Sequence, residues 1–154
     1  MKSKKSILLW IVFIFLTVSF VGFVDATYLT VKHFQGETPA CSVLEGCDKV
    51  TSSEYAVILG IPVALLGSLY YLTVFLLSIA YMDRRNEKVL FLTSIFTTAG
   101  LLASAWFVYL QFYVIGSICL YCMGSATTST LLFIIGMFTL YTLRKPREES
   151  VEQK

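Results

Sequence analysis

Four cysteines are the residues in this sequence best suited to chemistry, and they fall into two pairs of different character. Cys119-Leu120-Tyr121-Cys122 is a Cys-x-x-Cys, a spacing that lets two sulfurs close a small, reducible ring. Cys41 and Cys47 lie instead in a polar stretch, residues 32–54, broken by Gly36, Pro39 and Gly46. A pair on a fixed element and a pair on a movable loop suggest relayed thiol–disulfide exchange through mixed disulfides. Electrons would come in at the loop pair and leave from Cys119 and Cys122.

Hydropathy sets the elements that must hold these pairs. Of the 154 residues 56% are hydrophobic and 14% charged, with a mean hydropathy of +0.75. A soluble domain carries about a quarter charged residues, so a lipid bilayer is the expected solvent. A net charge of +2 offers no footing for nucleic acid. Residues 7–24, 55–82 and 89–143 contain no charged side chain. The last run is about twice a bilayer span of roughly 20 residues, so it must fold back on itself. The break is expected near Val114-Ile115-Gly116-Ser117.

The expected fold is therefore an all-α membrane protein, a four-transmembrane-helix bundle. Its helices are placed at about 7–28, 62–81, 89–113 and 118–143, forming one domain over residues 1–143. Between helices 1 and 2 lie an extracytoplasmic loop and a short interfacial helix. Residues 144–154 form a charged cytoplasmic tail. The first run exceeds the roughly 7–15 apolar residues of a cleaved signal peptide, so it is expected to remain as helix 1.

Basic residues orient the bundle. Lys2, Lys4 and Lys5 precede helix 1, and Arg84, Arg85 and Lys88 lie between helices 2 and 3. Arg144, Lys145, Arg147 and Lys154 follow helix 4, which leaves only Lys32 and Lys49 for the other side. Positive residues stay in the cytoplasm, so both termini are expected there, in a multi-pass cell (inner) membrane protein. Every cysteine then faces outward, where disulfides persist.

The Cys-x-x-Cys heads helix 4, where unsatisfied amides and the helix dipole favour a thiolate. Held at the membrane surface, this pair can meet a lipid-soluble electron carrier. A non-enzymatic alternative is a membrane protein with two structural disulfides or a four-cysteine zinc site. Cys-x-x-Cys is good half-site spacing for zinc. The five residues between Cys41 and Cys47 are looser than usual, and no acidic or histidine-rich ion path crosses the helices, so no metal is expected.

The chain resembles the vitamin K epoxide reductase family in its bacterial and archaeal single-domain form. The resemblance runs from Asp25-Ala26-Thr27-Tyr28-Leu29 through Cys41 and Cys47 to Thr51-Ser52-Ser53-Glu54-Tyr55. It continues through Gly60-Ile61-Pro62, Gly67 and Tyr71 to Cys119-Leu120-Tyr121-Cys122. It implies a bundle around a quinone pocket, with ubiquinone or menaquinone as the acceptor. It also implies that Cys41 exchanges with a separate thioredoxin-like (DsbA-like) thiol oxidase, that Cys47 passes electrons to Cys119, and that Cys122 faces the quinone. Ser53 corresponds to a serine near that pocket. The implied activity is a quinone-dependent protein thiol oxidoreductase that serves disulfide formation outside the cytoplasm. Animal members hold the vitamin through an asparagine on helix 2 and a tyrosine just after the Cys-x-x-Cys. Here those positions are Val63 and Ala126, so vitamin K quinone or epoxide reduction is the lesser alternative. A second family of four-helix quinone-linked oxidases carries its Cys-x-x-Cys between helices 1 and 2, unlike this chain.

Other residues have plainer expectations. Pro62 suits the first turn of helix 2, with residues 53–59 as the interfacial helix and Ser53 equally suited to cap it. Asp25 is placed at the outer end of helix 1, solvated near the interface. His33 is expected as a solvated loop histidine. Trp106, Tyr109, Phe112 and Tyr113 read as an interfacial aromatic belt rather than as a stack for a quinone ring.

Overall fold

The computed structural model describes residues 2–37, 39 and 46–152; Cys41 lies outside the described residues. Long helices dominate because, in lipid, a helix satisfies every backbone polar group within its own segment. Helix α1 spans Lys2–Gln35, α2 is a short turn over Cys47–Thr51, and α3 covers Val63–Arg84. Helix α4 runs from Glu87 to Tyr109 and continues as a π-helical turn over Leu110–Ile115, and α5 spans Leu120–Glu152. Four of these helices are long and apolar enough to cross a membrane: Ser6–Gln35, Val63–Arg84, Glu87–Ile115 and Leu120–Leu143. This is the all-α multi-pass bundle that hydropathy predicts.

Helix α1 packs against α3 and α5, and α4 against α5 and α3, which closes a ring of four. Small residues let the backbones approach, as lipid-embedded bundles require. A side chain at Gly136 of α5 would strike Thr97 Oγ1 at 2.6 Å and crowd Ser94 O at 3.2 Å on α4. Gly22 of α1 leaves room for the Tyr71 ring of α3 in the same way. Serine and threonine hydroxyls inside the bundle bond back to their own helix, as Ser19 does to Phe15 O and Ser78 to Val74 O. Large apolar side chains such as Trp10, Phe13 and Leu102 face outward, the reverse of a soluble protein.

Chain reversals follow local chemistry. Gly36 closes α1 in the left-handed conformation at φ 66°, and Lys32 pairs with Glu37 at 2.6 Å across that end. Arg85 N–H bonds Tyr81 O at 2.8 Å, and Asn86 Oδ1 caps α4 by accepting Lys88 N–H at 3.0 Å.

Three details depart from the hydropathy reading. Helix α1 runs on to Gln35, so Asp25 lies well inside it rather than at its end, and His33 is helical. No residue from 26 to 35 breaks a helix, and the first that does is Gly36. The short helix between the first two spans falls at Cys47–Thr51. Residues 53–59 instead form a single 3₁₀ turn, Glu54–Ala56, followed by the first strand of a hairpin. Strand β1 (Val57–Ile58) pairs antiparallel with β2 (Ile61–Pro62) around Leu59 and Gly60, both at positive φ (53° and 81°). Two positive φ values make the tight turn whose twist matches paired strands, and β-branched Val57, Ile58 and Ile61 favour extension. Pro62 then precedes α3, where its missing N–H costs nothing.

Candidate active site

Helix α5 begins at Leu120, so Cys119 is its capping residue and Cys122 completes its first turn. The backbone N–H of Cys122 donates to Cys119 Sγ at 3.4 Å, the bond that a capping serine or aspartate ordinarily accepts. A sulfur in that position faces unsatisfied amides and the positive end of the helix dipole. The Cys122 side chain hydrogen-bonds to Cys119 and brings its thiol down from the ordinary value to about 7. The N–H groups of Cys122 and Tyr121 act the same way, while burial and the charge of Asp25 oppose them.

A buried glutamine holds this capping residue in place. Gln111 sits in the π-helical turn, where the wider winding swings its side chain inward, and it is only 3% exposed. Its Oε1 accepts the buried backbone N–H of Cys119 at 2.8 Å. Its backbone carbonyl accepts the N–H of Ser117 at 3.1 Å and also that of Gly116, which turns left-handed at φ 64°. The connection into α5 is therefore tied to one residue at three points. The signal was present in the sequence: Gln111 is the one amide side chain in the uncharged run 89–143.

Cys47 reaches the same place from the other side. It is disulfide-bonded, whereas Cys119 and Cys122 are free thiols. Cys47, Val50 and Cys119 form one buried cluster, with Ile115, Tyr121 and Cys122 packed against it. The approach depends on Gly46, where a Cβ would lie 2.5 Å from Ile118 O and 2.8 Å from Ile118 N. Residues 47 and 119, which no local pattern connects, are thus brought together.

Cys122 has a second neighbour. It lines a cavity of about 400 Å³ between the helices, a size that suits a small-molecule ring. Ser53, Val63, Tyr70, Gln111 and Ala126 line it too, and Cys119 does not. The Ser53 hydroxyl donates to Val50 O at 2.7 Å rather than capping the turn it precedes. Below Cys122, Tyr71 ties α3 to α5: its hydroxyl donates to Ser125 O at 2.7 Å and meets the hydroxyls of Ser125, Thr128 and Ser129 at 2.8–3.0 Å. His33, expected to be solvated in the loop, lines the cavity from the last turn of α1. Trp106, Tyr109, Phe112 and Tyr113 are exposed and outside the cavity. Trp106 stacks on Tyr109 at 6.0 Å, and Tyr109 on Tyr113 at 5.0 Å.

The chain matches the model of the vitamin K epoxide reductase family over residues 13–137. It is 34% identical over 123 residues to the thiol-disulfide oxidoreductase LTO1 of Arabidopsis thaliana. That match covers 73% of this chain and 32%, about a third, of the plant protein's length.

Proposed function

The chain belongs to the vitamin K epoxide reductase family, and from that premise we propose that it is a quinone-linked protein thiol oxidoreductase. The observation that carries this reading is the division between the two free sulfurs of α5. Cys119 is buried against Cys47, and Cys122 lines the apolar cavity. A relay needs one sulfur for the incoming disulfide and one for the final acceptor.

The proposed sequence starts at the Cys41–Cys47 disulfide. A thiolate of a thioredoxin-like partner attacks Cys41 and displaces Cys47, and the partner's second thiol then frees Cys41. Cys47 next attacks Cys119 of the Cys119–Cys122 disulfide, displacing Cys122, and Cys41 closes back on Cys47. Cys119 and Cys122 are left as a dithiol, the state in which these two thiols are free and Cys47 is oxidised. A quinone such as ubiquinone or menaquinone supplies the two-electron acceptor in the cavity. The chain's own part is to hold Cys122 at the cavity wall and Cys119 on the helix cap. Ser53 belongs to the same wall; with its proton committed to Val50 O, it offers a ligand an acceptor lone pair rather than a donor.

The orientation that goes with this role has both termini in the cytoplasm of the cell membrane, with the cysteines outside, serving disulfide formation there. Purified protein in lipid nanodiscs, given a reduced thioredoxin-like oxidase and a soluble quinone, should oxidise the partner as it reduces the quinone. Quinone reduction that continues in Cys122→Ser would refute the role of that sulfur.

A further inference from the structure

Asp25 is a half-buried acidic residue that the relay leaves unexplained. It lies ten residues before the end of α1, about 15 Å along the axis at 1.5 Å per residue, and inside the span Ser6–Gln35. Its Oδ2 is buried and has no hydrogen-bond partner among the described residues. A carboxylate at membrane depth is costly unless paired, and groups retained there mark proton or ion traffic.

Among the described residues, the two helices packed against α1 offer Asp25 no counter-ion at this level. Helices α3 and α5 pack against α1. Gly22 of α1 meets the Tyr71 ring and Ala26 meets Gly67, so Tyr70 and Tyr71 are the ionisable groups of α3 at this level. On α5 they are Cys119, Tyr121 and Cys122. Lys and Arg do not occur on either helix before Arg84 and Arg144. Tyr28, one turn after Asp25 on the same face of α1, packs on Tyr121 with ring centroids 5.1 Å apart, and the two side chains hydrogen-bond. That contact turns the Asp25 face of α1 toward the Cys119–Cys122 turn. Among the described residues, Asp25 is the carboxyl group whose charge acts on Cys119, Tyr121 and Cys122.

We propose that Asp25 is the proton acceptor of the Cys119–Cys122 dithiol, taking the Cys119 proton as the disulfide forms. The inference rests on the quinone-linked reading above. Closing the Cys119–Cys122 bond breaks two S–H bonds and releases two electrons and two protons. Both electrons leave through Cys122 Sγ to the quinone. The Cys119 proton moves to the Asp25 carboxylate, the Cys122 proton goes with the electrons to the quinone, and water supplies the second proton that the quinone takes up. Asp25 returns to its starting state when it releases that proton to water.

The test uses full-length protein in nanodiscs with dithiothreitol as the electron source and decylubiquinone or menadione as the acceptor. Asp25→Asn should cut quinone reduction by about a hundredfold between about pH 6 and 9, with recovery in Asp25→Glu. A second readout needs no quinone. Because the Asp25 charge opposes ionisation of Cys119, alkylation of Cys119 by iodoacetamide at neutral pH should be as fast or faster in Asp25→Asn. Slow turnover beside a fully reactive Cys119 is a pattern that a merely structural role does not produce. Quinone reduction at the wild-type rate in Asp25→Asn overturns the proposal alone, as does a parallel fall in alkylation, turnover and melting temperature. Wild-type protein that reduces neither quinone overturns the underlying reading and the proposal with it.

Discussion

Gln111 Oε1 accepts the backbone N–H of Cys119 at 2.8 Å, so the side chain of one transmembrane helix holds the capping residue of the next. Replacing it with leucine leaves a buried N–H without a partner, a loss of about 1–3 kcal/mol. Gln111→Leu should therefore lower the melting temperature and slow electron transfer from Cys47 to Cys119. Thermal denaturation and stopped-flow exchange with a reduced partner measure the two effects. Wild-type values for both would mean that the connection 116–119 is held by its backbone bonds alone.

Ionisation of Cys119 sets a pH dependence with a definite sign. The Cys122 side chain, with helix-terminal N–H groups, lowers its thiol to about 7. The thiolate fraction, and with it alkylation of Cys119, should rise as pH increases through that value. Stabilisation from this ionisation is present above the ordinary thiol value and is lost as pH falls through about 7. Cys122→Ala removes the leading cause, so the midpoint of alkylation, followed by mass spectrometry, should move upward. An unmoved midpoint would assign the shift to the helix terminus instead.

Gly46 lets α2 approach the connection that leads into α5. A methyl group there meets Ile118 O and N at 2.5 and 2.8 Å, both backbone atoms with little freedom to yield. Gly46→Ala should separate α2 from the 116–119 connection and slow the Cys47-to-Cys119 step by at least about tenfold. The first exchange, between partner and loop, should remain. Rapid-quench trapping of the mixed disulfides distinguishes the two steps, and equal rates in both would remove Gly46 from the relay.

Neighbouring tyrosines should respond in opposite ways to loss of their hydroxyls. Tyr71 bonds Ser125, Thr128 and Ser129 across the bundle, so Tyr71→Phe should destabilise by about 1–3 kcal/mol. The Tyr70 hydroxyl is buried with no partner among the described residues, while its ring stacks on Phe96 at 5.4 Å. Tyr70→Phe keeps the stack and removes an unsatisfied group, so stability should hold or rise. Denaturation of the two variants in the same detergent gives the comparison, and a large loss in Tyr70→Phe would reveal a partner for that hydroxyl.

Much of the site was legible in the chain order. Long uncharged runs admit only helices in lipid, and a Cys-x-x-Cys after a break must head the next one. Errors gathered where local chemistry overrides hydropathy. Helix α1 passes the point where the membrane should end because a helix stops at a cap, here Gly36, and not at a change of polarity. Residues 53–59 turn into a hairpin because Leu59 and Gly60 both adopt positive φ, which an average over apolar residues does not register.

Sequence by itself determined the solvent, the spans, the two cysteine pairs and the helix end that holds one of them. Those properties are local: each depends on residues within a turn or a span of one another. Tertiary structure alone decided that Cys119 faces Cys47 while Cys122 faces the cavity, although the two lie in one helical turn. It also decided that Gln111 grips Cys119 and that Asp25 Oδ2 lies buried inside a span with no partner among the described residues. The reason is that side chains at i and i+3 point in related but distinct directions, and which direction meets which neighbour is set by how four helices pack. The paired cysteines marked the candidate site; the packing gave Cys119 and Cys122 different surroundings.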